Sequence, residues 1–293
     1  MQPIIGAQRA SASSRATRLL VLTLAITGSV GAIGAIPAGA AAATPKVAVI
    51  VGPVSGVTGS YRADGRRLAR QARAYGAHVT QVFSPYATWS RVVKATQGAN
   101  LVIYLGHGNG WPSPYGPFQP FTKDGLGLNA SAGRGNSNVT YKGEYYLRRK
   151  MHLAADAVVL LNHLCYASGN AEGGAPTQTR QIAKARADNY ARGFQEAGAS
   201  TVFAIGLEHP GYVLRGLFHS NLTMRQIFWH TPAATPKDRI AYNPKRSKGQ
   251  AILDPRGRRF FFRSVVGDLG LQASAWRQVA AQTTVPTPVR GLR

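Results

Sequence analysis

The sequence predicts an α/β fold: a three-layer sandwich with a mostly parallel sheet. Three observations carry that expectation. The apolar runs KVAVIV, LVIYLG and DAVVLLN leave no polar face for water, so they read as strands covered on both sides. Several of the stretches between strands place apolar residues at helical spacing and stop at a glycine. Strand and helix signals then alternate from Lys46 to STVFAIG, the pattern that lays crossover helices over a parallel sheet.

KVAVIVGP is the first strand, and the loop VGPVSGVTGS after it reads as a turn at the sheet edge, with neither Gly-x-Gly-x-x-Gly nor a P-loop lysine. Ser60 can cap a helix whose Leu68, Ala69, Ala72 and Tyr75 share one face, and Gly76 ends it. HVTQVFS is a second strand, TWSRVVKATQG a short helix and ANLVIYLG a third strand. Residues 109–149 are rich in Gly, Pro, Asn, Ser and aromatics, and support only short strands such as NVTYKGEYYL. A connection of that length inside a compact domain is usually a functional insertion. DAVVLLNHL is the fourth strand and SGNAEGGAPT a flexible loop. Thr177 or Thr179 can then cap a helix with Ala183, Ala187, Tyr190, Ala191 and Phe194 inward and Gly198 at its end.

STVFAIG is the next strand, and GYVLRGLFHSNLTMRQIFW reads as one helix with Leu214, Leu217, Phe218 and Met224 inward. TPAATPKDRIAYNPKRSKGQ is a basic, proline-punctuated segment, RRFFFRSVVGD a late strand or hairpin, and TTVPTPVRGLR a disordered tail. The expected organisation is a leader at 1–43, an α/β domain at 44–230 and a basic C-terminal extension at 231–293.

The leader carries Arg9, Arg15 and Arg18 and no acid, and the chain from Leu19 to Pro45 is uncharged. An apolar stretch from Leu19 to Val30 followed by IPAGAAAA has the pattern of a secretory signal cut between Ala40 and Ala43. The same run is long enough to serve instead as a membrane anchor. Either form places the rest of the chain outside the cytoplasm, secreted or anchored.

Of the formal charge of +24, the leader accounts for its three arginines, so the remainder is strongly basic in its own right. Such a surface attracts anionic cell-envelope polymers, nucleic acid and acidic proteins, or simply keeps the protein soluble. About 250 residues at 44% hydrophobic can build one substantial core. A single cysteine leaves no internal disulfide, so burial must supply the stability.

That cysteine, Cys165, follows the strand AVVLLN, and His107 follows LVIYLG 58 positions earlier. Open parallel sheets gather functional groups beyond the carboxyl ends of their strands. A thiol is mostly protonated at neutral pH, and an imidazole can take its proton. Taken alone, Cys165 defaults to a small buried hydrophobe and His107 to a loop histidine; the pairing favours a catalytic dyad. His163, two residues before the cysteine, is the competing base. The remaining histidines are scattered, so no metal site is expected, and no Gly-x-Ser-x-Gly is present.

The blocks YLGHGNG and LLNHLCYASGN, in this order at strand ends, resemble the histidine and cysteine blocks of the caspase-like superfamily, which includes caspases, gingipains, legumains, separases and CHAT-domain proteins. The resemblance covers Lys46 to Trp229 and implies a cysteine peptidase. In it Cys165 would be the nucleophile, His107 the general base and acid, and Gly108, with the cysteine amide, the oxyanion donor. The caspase pattern Gln-Ala-Cys-X-Gly is absent, so caspases proper are not implied. The substrate implied is a protein or peptide, with no cofactor.

Relatives of this kind that prefer a basic residue need an acidic pocket group. Glu172 and Glu208 are the nearest candidates, each with an ordinary surface carboxylate as the alternative. Trp111, with Tyr115, Phe118 and Phe121, forms either a substrate wall or a satellite aromatic cluster. A non-catalytic module of the same fold, binding an anionic envelope polymer or nucleic acid, is the rival reading.

Overall fold

The computed structural model describes residues 44–172, 178–257 and 260–282. The expected leader, the candidate cap Thr177 and the tail TTVPTPVRGLR lie outside them. Ten strands and seven helices follow in chain order. They are β1 (Lys46–Val51), α1 (Thr58–Ala74), β2 (His78–Phe83), α2 (Trp89–Thr96), β3 (Leu101–Leu105), β4 (Leu126–Asn129), β5 (Val139–Lys142), α3 (Glu144–Lys150) and β6 (Ala157–Asn162). Then come α4 (Arg180–Glu196), β7 (Ala199–Ile205), α5 (Gly211–His219), α6 (Met224–Trp229), β8 (Ile240–Tyr242), β9 (Gln250–Arg256), β10 (Phe260–Gly267) and α7 (Ala273–Gln282). No described helix is long and apolar enough to cross a membrane.

The main sheet has eight strands in the order β2-β1-β3-β6-β7-β10-β9-β8. The first five run parallel, and β10, β9 and β8 are added antiparallel. The fold is the predicted three-layer α/β sandwich. Alternation along each strand explains why: Ala48 and Ile50 of β1 face one helical layer, and Val47, Val49 and Val51 face the other. The first layer is α2, α3 and α4, contributing Val92, Leu147 and Phe194. The second is α1, α5, α6 and α7, contributing Leu68, Leu217, Ile227 and Trp276. Each such side chain, fully buried, stabilises by about 1.5–3 kcal/mol.

Several local expectations change. Helix α1 begins at Thr58, not after Ser60, because a 3-10 turn at Ser55–Val57 leads into it and Thr58 Oγ1 bonds the Val54 amide and the Ser55 carbonyl. The loop after β1 does not lie at the sheet edge, since β1 is flanked by β2 and β3. Thr179 caps α4 by accepting from Ile182 N, 3.2 Å. The segment read as one helix after STVFAIG is two: α5 ends at an extended Ser220, and Thr223 opens α6 with a capping box closed by Gln226. EYYL lies in α3, not a strand, because it packs on α4 directly after β5. The segment after residue 230 supplies three strands to the main sheet, and α7, unpredicted, seats Trp276 with its indole donating to Asn100 O at 3.2 Å.

Candidate active site

His107 and Cys165 leave the carboxyl ends of β3 and β6, which are paired neighbours with Leu105 opposite Asn162. The histidine loop is fixed from below by Tyr104, a fully buried residue of β3. Its hydroxyl donates its one proton to Gly127 O at 2.7 Å, lies 3.1 Å from His107 O, and accepts from Gly127 N at 3.0 Å. Gly127 N also donates to His107 O. The β4–β5 hairpin is thereby clamped over the strand end, and Gly127 has no room for a side chain because a Cβ would stand 2.9 Å from His107 Cβ.

The cysteine loop is held by the later strands. His163 N donates to Ile205 O at the end of β7, Ser168 Oγ to Phe261 O of β10, and Ser264 Oγ to Ala167 O. On either side of the nucleophile candidate, His163 (φ 59°) and Tyr166 (φ 72°) occupy the left-handed region. For residues with a Cβ this costs about 1–2 kcal/mol each. Such strain persists where the surrounding structure imposes it, commonly at functional sites.

The two loops touch through backbone. At Gly108 a Cβ would meet Cys165 O at 2.2 Å and Tyr190 Oη at 2.7 Å, and at Gly110 it would meet Tyr166 Cβ at 2.2 Å. Among the described residues, neither the Gly108 nor the Cys165 amide makes a hydrogen bond. The next amide, Asn109 N, is held by Tyr190 Oη at 2.8 Å.

Cys165 is half-buried and makes no hydrogen bond with His107 among the described residues. Burial pushes its thiol up, and the Glu172 carboxylate pushes it further. Burial lowers the His107 imidazole below its usual range, with Glu172 opposing. Both shifts favour the uncharged forms, a neutral thiol and a neutral imidazole, over a thiolate–imidazolium ion pair.

Glu172 accepts from Tyr166 Oη at 2.9 Å, so its charge is held beside both residues. Glu208 is placed differently: it pairs with Arg263 at 2.7 Å and accepts from Thr231 at 2.9 Å, in a buried cluster with Asp254 and Tyr212. Trp111 is half-buried; its N–H donates to Asp124 Oδ1 and its carbonyl accepts from Asn189 Nδ2, both at 2.8 Å, while its ring centroid lies 6.3 Å from that of Phe118.

His163 is engaged elsewhere. Its Nδ1 meets Gly206 O at 3.0 Å, its Nε2 lies 3.9 Å from Asp64 Oδ2, and its ring packs on Tyr61 at 5.3 Å. Tyr61 is raised by burial and then by the charges of Cys165 and Asp64. Sequence reasoning missed Tyr61, Asp64 and Tyr104. Among the described residues, no group of three or more His, Cys, Asp or Glu could hold a metal ion.

No protein-family model and no curated protein matches the sequence. Among solved structures the chain is similar to the Arg-specific cysteine proteinase gingipain R, at 12% identity and a TM-score of 0.35. The match covers 78% of this chain and 62% of that chain, so less than two thirds of that structure's length is spanned.

Proposed function

We propose that this is an exported cysteine peptidase in which Cys165 and His107 form the dyad. The observation that carries the reading is the meeting of the two strand-end loops at Gly108 and Cys165, with both amides unclaimed. The neutral imidazole takes the thiol proton as Sγ attacks the scissile carbonyl. The amides of Gly108 and Cys165 receive the oxyanion, each such donor being worth about a hundredfold or more in rate. The protonated His107 then gives its proton to the leaving amine, and water hydrolyses the acyl-enzyme with the same imidazole as base. The absent thiol–imidazole bond fits an enzyme without substrate, in which catalytic hydrogen bonds are often long. Export rests on the leader-like sequence of residues 1–43. The substrate class is protein or peptide, and Glu172 and Trp111 are the residues we assign to receiving it.

The test is hydrolysis of an unbiased peptide mixture by the wild type, Cys165→Ala and His107→Ala. The expected result is no turnover without the thiol and at least about a hundredfold loss without the imidazole. Retained turnover by either variant overturns the dyad.

A second reading, a non-catalytic module that uses its basic surface to bind an anionic polymer, is favoured by the raised Cys165 thiol. It requires affinity that falls steeply with salt and is indifferent to Cys165→Ala.

A further inference from the structure

We infer that a cavity between α4 and the loop after β8 is a binding site for a small anion carrying a pair of phosphate groups. The cavity has a volume of about 610 Å³, within the range of small-ligand sites, and is lined by Arg180, Lys184, Asp188, Tyr242, Lys245 and Arg246.

Its acid does not offset its cations in the usual way. Asp188 is 4% exposed, and its two oxygens accept from the backbone amides of Lys245, Arg246 and Ser247 and from Ser247 Oγ, at 2.6–3.2 Å. The carboxylate pins the loop so that Lys245 and Arg246 line the cavity. Arg246 is further steered by Glu144, at 2.8 Å, and by Asn189 Oδ1, at 3.1 Å. Tyr242 supplies an aromatic wall, with its hydroxyl on Lys184 O and the Lys184 ammonium 5.3 Å over its ring.

Counting Asp188 and Glu144 against the four cations leaves a surplus of two positive charges. Among the described residues, Arg180 and Lys245 have no ion-pair partner. Arg180 also stands in the first turn of a 17-residue helix, where the macrodipole disfavours a cation. Cations gathered there, around a space of ligand size, match the charge and the multiple acceptors of phosphate groups. The site uses neither Cys165 nor His107, so it stands or falls apart from the peptidase reading.

The experiment is calorimetric titration of the purified protein with inorganic pyrophosphate at about 0.15 M salt, where long-range attraction is screened. Arg180→Gln with Lys245→Gln removes the uncommitted cations. Arg66→Gln with Arg70→Gln removes the same charge from the exposed side of α1, on the opposite face of the sheet. The expected result is saturable binding weakened about tenfold or more by the first pair and less than about twofold by the second. Equal weakening by both pairs, or no saturable binding to the wild type, overturns the proposal. Thermal unfolding checks that both double variants fold.

Discussion

Gly108 and Cys165 are in backbone contact: a Cβ on residue 108 would stand 2.2 Å from the cysteine carbonyl oxygen. The second obstacle, Tyr190 Oη at 2.7 Å, is fully buried and already bonded to Asn109 N. Gly108→Ala therefore has to push the two loops apart. Overpacking of this kind costs about 1–3 kcal/mol, and loss of an aligned oxyanion donor costs about a hundredfold in turnover. Thermal unfolding and peptide hydrolysis read the two effects separately; an unchanged melting temperature would show that the loops are not in contact.

Glu172 raises both the Cys165 thiol and the His107 imidazole. A thiolate is repelled by a neighbouring carboxylate and an imidazolium is attracted by it, so removing the charge lowers both. Glu172→Gln is expected to speed iodoacetamide labelling of Cys165 at pH 8 severalfold, up to about tenfold, by increasing the thiolate fraction. The labelling profile against pH moves to lower pH in the variant. A profile that stays in place would remove Glu172 from the site.

Glu208 has a different expected signature. Its partner Arg263 has a side chain only 5% exposed, and removing one member of a buried pair leaves an uncompensated charge. Asp254 remains on Arg263, which limits the loss. Glu208→Gln should destabilise by up to about 3 kcal/mol in chemical denaturation while leaving the residue preference of any peptide cleavage unchanged. A changed preference with unchanged stability would restore Glu208 as a substrate contact.

The sheet was legible where burial on both faces made the strands continuous apolar runs, as in KVAVIV and AVVLLN, and the strand ends then located His107 and Cys165. What escaped was set by tertiary context. Tyr104 reads as one more core residue inside LVIYL, and nothing local shows that its hydroxyl reaches a hairpin 23 residues away. The aromatic residues of EYYLRRK suit a strand by propensity, yet packing on α4 makes them helical. Prolines and charges after residue 230 hid β8 and β9; Asp254 of β9 is buried as the partner of Arg263 on β10. Tyr61 and Asp64 lie in α1, about a hundred residues from His163, so only the fold brings them against its ring.

Tyr104→Phe tests the clamp beneath the histidine. The variant keeps the ring but removes the hydroxyl that donates to Gly127 O and accepts from Gly127 N. Buried backbone groups left unsatisfied cost about 1–3 kcal/mol. A drop in melting temperature with faster amide exchange in residues 106–108 and 126–128 is expected. Normal exchange there would mean that the hairpin is held by other contacts.

Asp124 gives the protein a pH dependence of its own. It is fully buried with φ 59°, its Oδ1 takes the Trp111 amide, its own N–H donates to Asn109 O, and its Oδ2 has no partner. Burial raises it to about 8, against the smaller opposing effects of the Trp111 hydrogen bond and of Arg246 and Lys123. The folded state therefore holds a proton that the unfolded chain releases at about pH 4. Between about pH 4 and the folded value of about 8 the native state binds more protons, so stability falls as pH rises, and the decline ends above that value. Asp124→Asn keeps an acceptor for Trp111 N, tolerates the left-handed backbone and carries no titratable group. The melting temperature of the variant relative to the wild type should climb from pH 5 to pH 8 and then level. A difference constant across that range would show that Asp124 is ionised in the folded protein, with its charge met by Lys123 and Arg246.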